Sequence, residues 1–153
     1  MNIRESRAAD VPAMEALINR AFEVEKFFIA RDRTTAAETA AMRDKGVFLL
    51  AEENGLLLAC VYVELRNDRG YFGVLSVDPA QQKRGLGRTL VLAAEDYART
   101  KGCKAMDIRV VNLRTELPPF YDKLGYKTIA TEPFSMPEDA SQPCHFLVMS
   151  KPL

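Results

Sequence analysis

Val77-Asp78-Pro79-Ala80-Gln81-Gln82-Lys83-Arg84-Gly85-Leu86-Gly87-Arg88-Thr89 is the stretch from which the rest of the chain can be ordered. The apolar run Tyr71–Val77 before it reads as a strand that stops at Asp78-Pro79. After it, Leu86, Leu90, Val91, Ala94, Tyr97 and Ala98 recur at helical spacing up to Lys101-Gly102. A strand therefore passes through a glycine-containing loop straight into a long amphipathic helix. Gly85 and Gly87 let the backbone turn so that successive N–H groups converge, and the helix start adds about half a positive charge. Lys83, Arg84 and Arg88 stand around it. This composition makes an anion site, most naturally for a pyrophosphate. It is not a P-loop, which needs GxxxxGK[ST], nor a dinucleotide fingerprint, whose third glycine position is held by Leu90.

Working outward, Ile3–Arg7 reads as a strand, and Asp10 as the N-cap of a helix carrying Val11, Met14, Leu17, Ile18, Ala21 and Phe22. Glu23–Thr34 has no clean period and is expected to be irregular. Thr35-Ala-Ala-Glu38 predicts a capping box opening a short helix, which Gly46 would close in the left-handed conformation. Val47–Ala51, Leu56–Leu65 and Tyr71–Val77 form three antiparallel strands, with turns at Glu53-Asn54-Gly55 and Asn67–Gly70. Ala105–Val111 is a strand and Glu116–Leu124 a helix that admits Pro118 and Pro119 in its first turn. Tyr126–Thr131 and His145–Ser150 are the last strands, separated by the Pro- and acid-rich loop Glu132–Cys144. The order βααβββαβαββ is a mixed α/β (α+β) domain, expected to be one unit over residues 1–153.

The chain has 21 Lys+Arg against 21 Asp+Glu, a formal net charge of +0. That balance argues against a nucleic-acid backbone binder, because counterion release needs surplus cations. One His and three scattered cysteines, without a CxxC, do not make a metal site and read as free thiols of a reducing, cytoplasmic compartment. No apolar run approaches a membrane span.

Gln82-x-x-Gly85-x-Gly87, after a strand and before a helix, resembles motif A of the GCN5-related N-acetyltransferase (GNAT) superfamily. Asn112, followed by Phe120-Tyr121-Asp-Lys-Leu124-Gly125-Tyr126, is similar to that family's later strand and helix. The closing Met149-Ser-Lys-Pro-Leu153 is similar too, so the resemblance spans essentially the whole chain. It implies a mainly antiparallel central sheet flanked by about four helices, with a cofactor cleft between the two central strands. It also implies acetyl transfer from acetyl-CoA, as co-substrate, to a primary amine on a small molecule or peptide. Gln82, Lys83, Arg84, Gly85, Leu86, Gly87, Arg88 and Thr89 would bind the pyrophosphate. Backbone around Leu75, Ser76 and Val77 would meet the thioester oxygen, and Asn112 would bind pantetheine or order the helix after it. Tyr121 matches the family's general acid, and a phenol titrating near pH 10 is protonated at neutrality.

Some members of the family place a Glu on the strand before the loop, but here that strand is Tyr71-Phe-Gly-Val-Leu-Ser-Val77 and carries no carboxylate. The base stays open among Glu64, Asp107, Glu116, His145 and water. The acceptor is expected between Glu23–Thr34 and Glu132–Cys144. There Glu23, Glu25, Asp32, Glu138 and Asp139 would attract a cation, Arg31 and Arg33 a carboxylate, and Phe27 and Phe28 either line the pocket or join the core. Direct transfer in a ternary complex is favoured over a cysteine relay, since Cys60 and Cys103 lie in apolar settings and Cys144 and His145 point to opposite faces of a strand. An acyl-CoA sensor, a transferase of longer acyl groups and a nucleotide-binding regulator are the alternatives, and a homodimer is left open.

Overall fold

The computed structural model describes all 153 residues. Seven strands, β1 (Asn2–Glu5), β2 (Val47–Glu53), β3 (Leu56–Arg66), β4 (Arg69–Val77), β5 (Ala105–Val111), β6 (Lys127–Pro133) and β7 (His145–Pro152), form one sheet in the order β1-β2-β3-β4-β5-β7-β6. Every neighbouring pair is antiparallel except β4 and β5. The helices are α1 (Val11–Ala21), α2 (Ala36–Lys45), α3 (Leu86–Thr100) and α4 (Leu117–Lys123).

Apolar residues on both faces of β2 and β3 divide the core in two. Phe48, Leu50, Cys60 and Tyr62 pack under Met14, Leu17 and Ile18 of α1. Their alternating neighbours Leu49, Ala51, Ala59, Val61 and Val63 pack under Leu90, Val91, Ala94 and Ala98 of α3. A central strand buried on both sides reads as a continuous apolar run, as Leu58–Val63 does. One polar group enters the α3 side: Glu95 is 2% exposed. It accepts a bond from the Tyr126 hydroxyl at 2.7 Å and one from Lys151 Nζ at 2.9 Å, tying α3 to β7. Removing either partner of such a buried charge typically costs about 3–5 kcal/mol.

The hairpin at Asn54-Gly55 is formed with φ of 54° and 77°, as its residues demand. Other local expectations are corrected. Gly46 is extended (φ −156°, ψ −155°), not left-handed. A side chain there would collide with the Val63 carbonyl and the Tyr62 ring, so space rather than φ selects glycine. Thr35 does cap α2, accepting from Glu38 N at 3.1 Å, but the Glu38 side chain makes no bond back. Asp10 sits at the start of α1, yet its carboxylate turns back to Arg7 N and to the Arg4 guanidinium. The irregular Glu23–Thr34 segment begins with a 3-10 turn, Phe22–Glu25, and then meets the Glu132–Cys144 loop. Ile29 bridges Ala140, Ser141 N donates to Phe28 O at 2.8 Å, and Arg31 pairs with Asp139 at 3.1 Å. No helix is long and apolar enough to cross a membrane.

Candidate active site

Between β4 and β5 the sheet comes apart. Their parallel ladder holds only Arg69–Tyr71 against Ala105–Asp107, after which the two strands diverge. Divergence exposes one backbone edge of each strand to a cleft of about 960 Å³. A bulge on β4 sharpens the opening. Pairing with β3 passes from Cys60↔Ser76 to Tyr62↔Gly73, so Val61 faces both Val74 and Leu75. Val74 takes φ +54°, a conformation costing a β-branched residue about 1–3 kcal/mol. Ser76 is wholly buried and donates its hydroxyl to Val74 O at 2.8 Å, which braces the bulge from behind. Leu75 and Val77 line the cleft and Ser76 does not.

At the C-terminal end of β4 the glycine loop closes one end of the cleft. Lys83 and Gly85 both have left-handed φ, 70° and 71°, and lead into the first turn of α3. Gln82, Lys83, Gly85, Leu86, Gly87 and Arg88 line the cleft. Lys83 and Arg88 have no carboxylate partner, and their side chains make no hydrogen bond within the chain. Arg84 is turned away, paired with Glu53 at 3.0 Å and bonded to Gln81 at 2.7 Å. The Thr89 hydroxyl is spent on Gly85 O at 2.9 Å. Asn112 also lies outside the cleft wall, where its Oδ1 accepts from His145 N at 2.8 Å and fixes the end of the β5–β7 ladder.

Tyr121 reaches the cleft from α4, packed against Phe120, Phe72 and Tyr126 with ring centroids 5.0 to 6.0 Å apart. It is 7% exposed and, unlike Tyr126, its hydroxyl bonds to no group of the protein. Burial pushes this phenol well above the usual tyrosine range, and the nearby Arg114 only partly offsets that. That shift keeps the hydroxyl in its neutral, protonated form.

On the α1 side the cleft wall carries Phe22, Phe134 and Phe146. Phe28 is instead core and Phe27 faces solvent, so neither lines the pocket. Of the residues left open as base, only Glu116 borders the cleft. Glu64 is bonded to Tyr62 and Arg66, Asp107 is clamped by Arg69, and His145 opens β7 outside the cleft. The carboxylate that sequence reasoning did not weigh as a base is Glu25. It pairs with Arg114 at 2.8 Å inside the cleft, and burial lifts its carboxyl above the ordinary range despite that bond. It lies in an aperiodic segment, so no pattern marked it. No three His, Cys, Asp or Glu side chains come together as a metal-ligating group.

The splayed parallel pair, the bulged strand and the glycine loop at a helix start are the features the sequence resemblance leads one to expect, and the comparisons with known proteins name the family. The chain belongs to the Acetyltransferase (GNAT) family, whose model matches residues 11–126. The uncharacterized N-acetyltransferase YhfO of Bacillus subtilis is 27% identical over 137 residues, covering 83% of this chain and 90% of YhfO. Mycothiol acetyltransferase of Amycolatopsis mediterranei is 32% identical over 106 residues, 63% of this chain but only 35% of that longer protein. Among solved structures, yncA of Salmonella typhimurium with its cofactor acetyl-CoA superposes with a TM-score of 0.77. It is 24% identical and covers 100% of this chain and 94% of yncA.

Proposed function

We propose that the chain transfers an acetyl group from acetyl-CoA to a primary amine by direct attack in a ternary complex, with Tyr121 as general acid. The observation that carries this reading is a pair of unpartnered cations, Lys83 and Arg88, at the end of a cleft whose wall holds an unpartnered phenol. Residues Gln82 to Arg88 that line the cleft would hold the pyrophosphate, with backbone N–H groups at the start of α3. The unpaired edges of β4 and β5 suit the amides of pantetheine, which would lie between them like an added strand. Backbone at the bulge, around Leu75, would face the charge that develops on the thioester oxygen.

The amine nitrogen forms its bond to the thioester carbon as the C–S bond breaks, and the sulfur takes the proton that Tyr121 supplies. The proton lost by the amine goes to a carboxylate or to water, and Glu25 and Glu116 are the carboxyl groups on the cleft wall. Two apolar clusters sharing one sheet support reading residues 1–153 as one domain. Three cysteines, none in a disulfide, support a reducing, cytoplasmic setting.

Calorimetry with acetyl-CoA, followed by a screen of primary amines with detection of released thiol, tests the reading. Binding with thiol release that requires an amine is the expected result. No binding overturns the cofactor assignment, and binding without turnover on a broad panel points to an acyl-CoA sensor.

A further inference from the structure

The cleft wall carries a third unpartnered cation, far in character from the phosphate loop. Each other arginine facing the α1 side of the cleft is neutralised by a carboxylate. Arg20 meets Asp78 at 3.0 Å, Arg31 meets Asp139 at 3.1 Å, and Arg114 meets Glu25 at 2.8 Å and Glu116 at 3.1 Å. Arg109 approaches Glu132 at 3.9 Å. Arg33 has no carboxylate within salt-bridge reach, and its guanidinium makes no hydrogen bond within the protein; it lies over the Phe22 ring, 5.2 Å from the centroid.

The backbone beside this arginine is held in place. The backbone of the next residue, Thr34, is gripped at both ends by the α1 side chain Asn19: Thr34 N donates to Asn19 Oδ1 at 3.0 Å and Asn19 Nδ2 donates to Thr34 O at 3.1 Å. Thr34 itself is buried and shares a hydroxyl contact of 3.0 Å with Thr39 at the foot of α2. Phe22 stacks on the other side. With its backbone anchored beside Thr34, the Arg33 side chain starts from a fixed point on the cleft wall. Arg33 is exposed and borders the open cleft, where neighbouring protein lowers its basicity. The charges that act on it are Glu25, Arg31 and Glu38, with the Tyr71 phenol, and none belongs to the 82–89 loop. Arg33 precedes α2 and the glycine loop precedes α3, so the two lie on different segments of one cleft wall.

Glu25, bonded to Arg114 at 2.8 Å, shares the cleft wall with Arg33 and Tyr121. We infer that the acceptor is a primary amine that also carries a carboxylate, and that Arg33 is the specificity-determining residue that binds this carboxylate. Guanidinium and carboxylate pair through two parallel N–H···O bonds, a geometry that a second amine or a hydroxyl cannot supply. Amino acids and short peptides with a free C-terminal carboxylate fit this description; polyamines and aminoglycosides meet an unpaired cation and are rejected. The inference rests on the transferase reading above and narrows it.

The test compares matched pairs: α-, β- and ω-amino acids against the amines left when their carboxyl group is removed, with spermidine added, each at saturating acetyl-CoA with thiol detection. The best carboxylated amine is expected to exceed its decarboxylated partner in kcat/KM by about tenfold or more. Arg33→Ala and Arg33→Met bring the two members of the pair level, through the KM of the carboxylated one, and Arg33→Lys restores part of the difference. Acetyl-CoA calorimetry on each variant separates misfolding from lost recognition, and the wild-type comparison needs no variant. Turnover of decarboxylated amines or spermidine as good as that of the carboxylated ones, with acetyl-CoA bound, overturns this inference alone. A preference that survives Arg33→Ala in a variant that binds acetyl-CoA also overturns it. Absence of acetyl-CoA binding and of any thiol release overturns the transferase reading and this inference with it.

Discussion

Tyr71 and Asp107 are the last partners in the parallel ladder between β4 and β5, and the cleft begins one residue beyond them. The apex is fastened from the side. Arg69 grips Asp107 with two bonds of 2.7 and 2.8 Å and also reaches Ser150, while Arg66 covers the Tyr71 ring at 4.2 Å. Asp107 is thus a fastening of the V, and Arg69 holds its carboxyl below the usual carboxylate range.

Replacing Asp107 by Asn is expected to lower stability by up to about 1 kcal/mol, the usual scale for a part-exposed ion pair. The pH profile of turnover keeps its shape. A thermal melt and a kcat/KM profile check both halves, and a shifted acidic limb would make Asp107 a proton acceptor after all.

Tyr121→Phe removes one hydroxyl from an otherwise intact aromatic cluster. It is expected to lower kcat by about 100-fold, with the affinity for acetyl-CoA and the melting temperature close to wild type. Full turnover in this variant would exclude the general-acid role.

Lys83→Ala and Arg88→Ala each take one unpartnered cation from the loop. Each is expected to weaken acetyl-CoA binding by about tenfold, the scale of one charge-assisted bond. The loss shrinks for dephosphorylated pantetheine thioesters, and the wild-type affinity falls as salt rises. Arg84→Ala, whose side chain is already paired with Glu53, is expected to change binding much less.

Acid stability has a defined window. The bond from Arg4, aided by Arg7 N, lowers the Asp10 carboxyl from 3.8 to about 2. A depressed carboxylate stabilises the fold above its unfolded value, and that contribution is lost as pH falls through the folded one. Denaturant midpoints of wild type should therefore drop between about pH 4 and pH 2 more steeply than those of Asp10→Asn. Parallel slopes would show that Asp10 does not contribute.

The elements legible in the sequence were those with a clear period or a defining turn. α3, the β2–β3 hairpin and the glycine loop all follow from spacing and from residues able to take positive φ. The splay was implied by the family resemblance alone, because Arg69–Val77 and Ala105–Val111 carry ordinary strand patterns and only their pairing shows where they part. Val74 gave no warning, since a β-branched residue at φ +54° contradicts its own local preference and is held there by β3 and Ser76. Arg84, Thr89 and Asn112 stood in the right motifs, but their side chains are occupied by Glu53, Gly85 and His145. Spacing locates a backbone position and says little about a long side chain's partner. Arg33 and Glu25 lie in a segment without period, where only the folded loop pairing through Ile29 and Ala140 defines their neighbours.

The cleft passes through the sheet rather than over it. Its wall includes Leu86, Gly87 and Tyr121 from the α3 side and Phe22, Glu25 and Arg33 from the α1 side. On the ternary-complex reading proposed above, a ligand held at the glycine loop leaves the α1 side open to a second one, so initial-rate plots should intersect rather than run parallel.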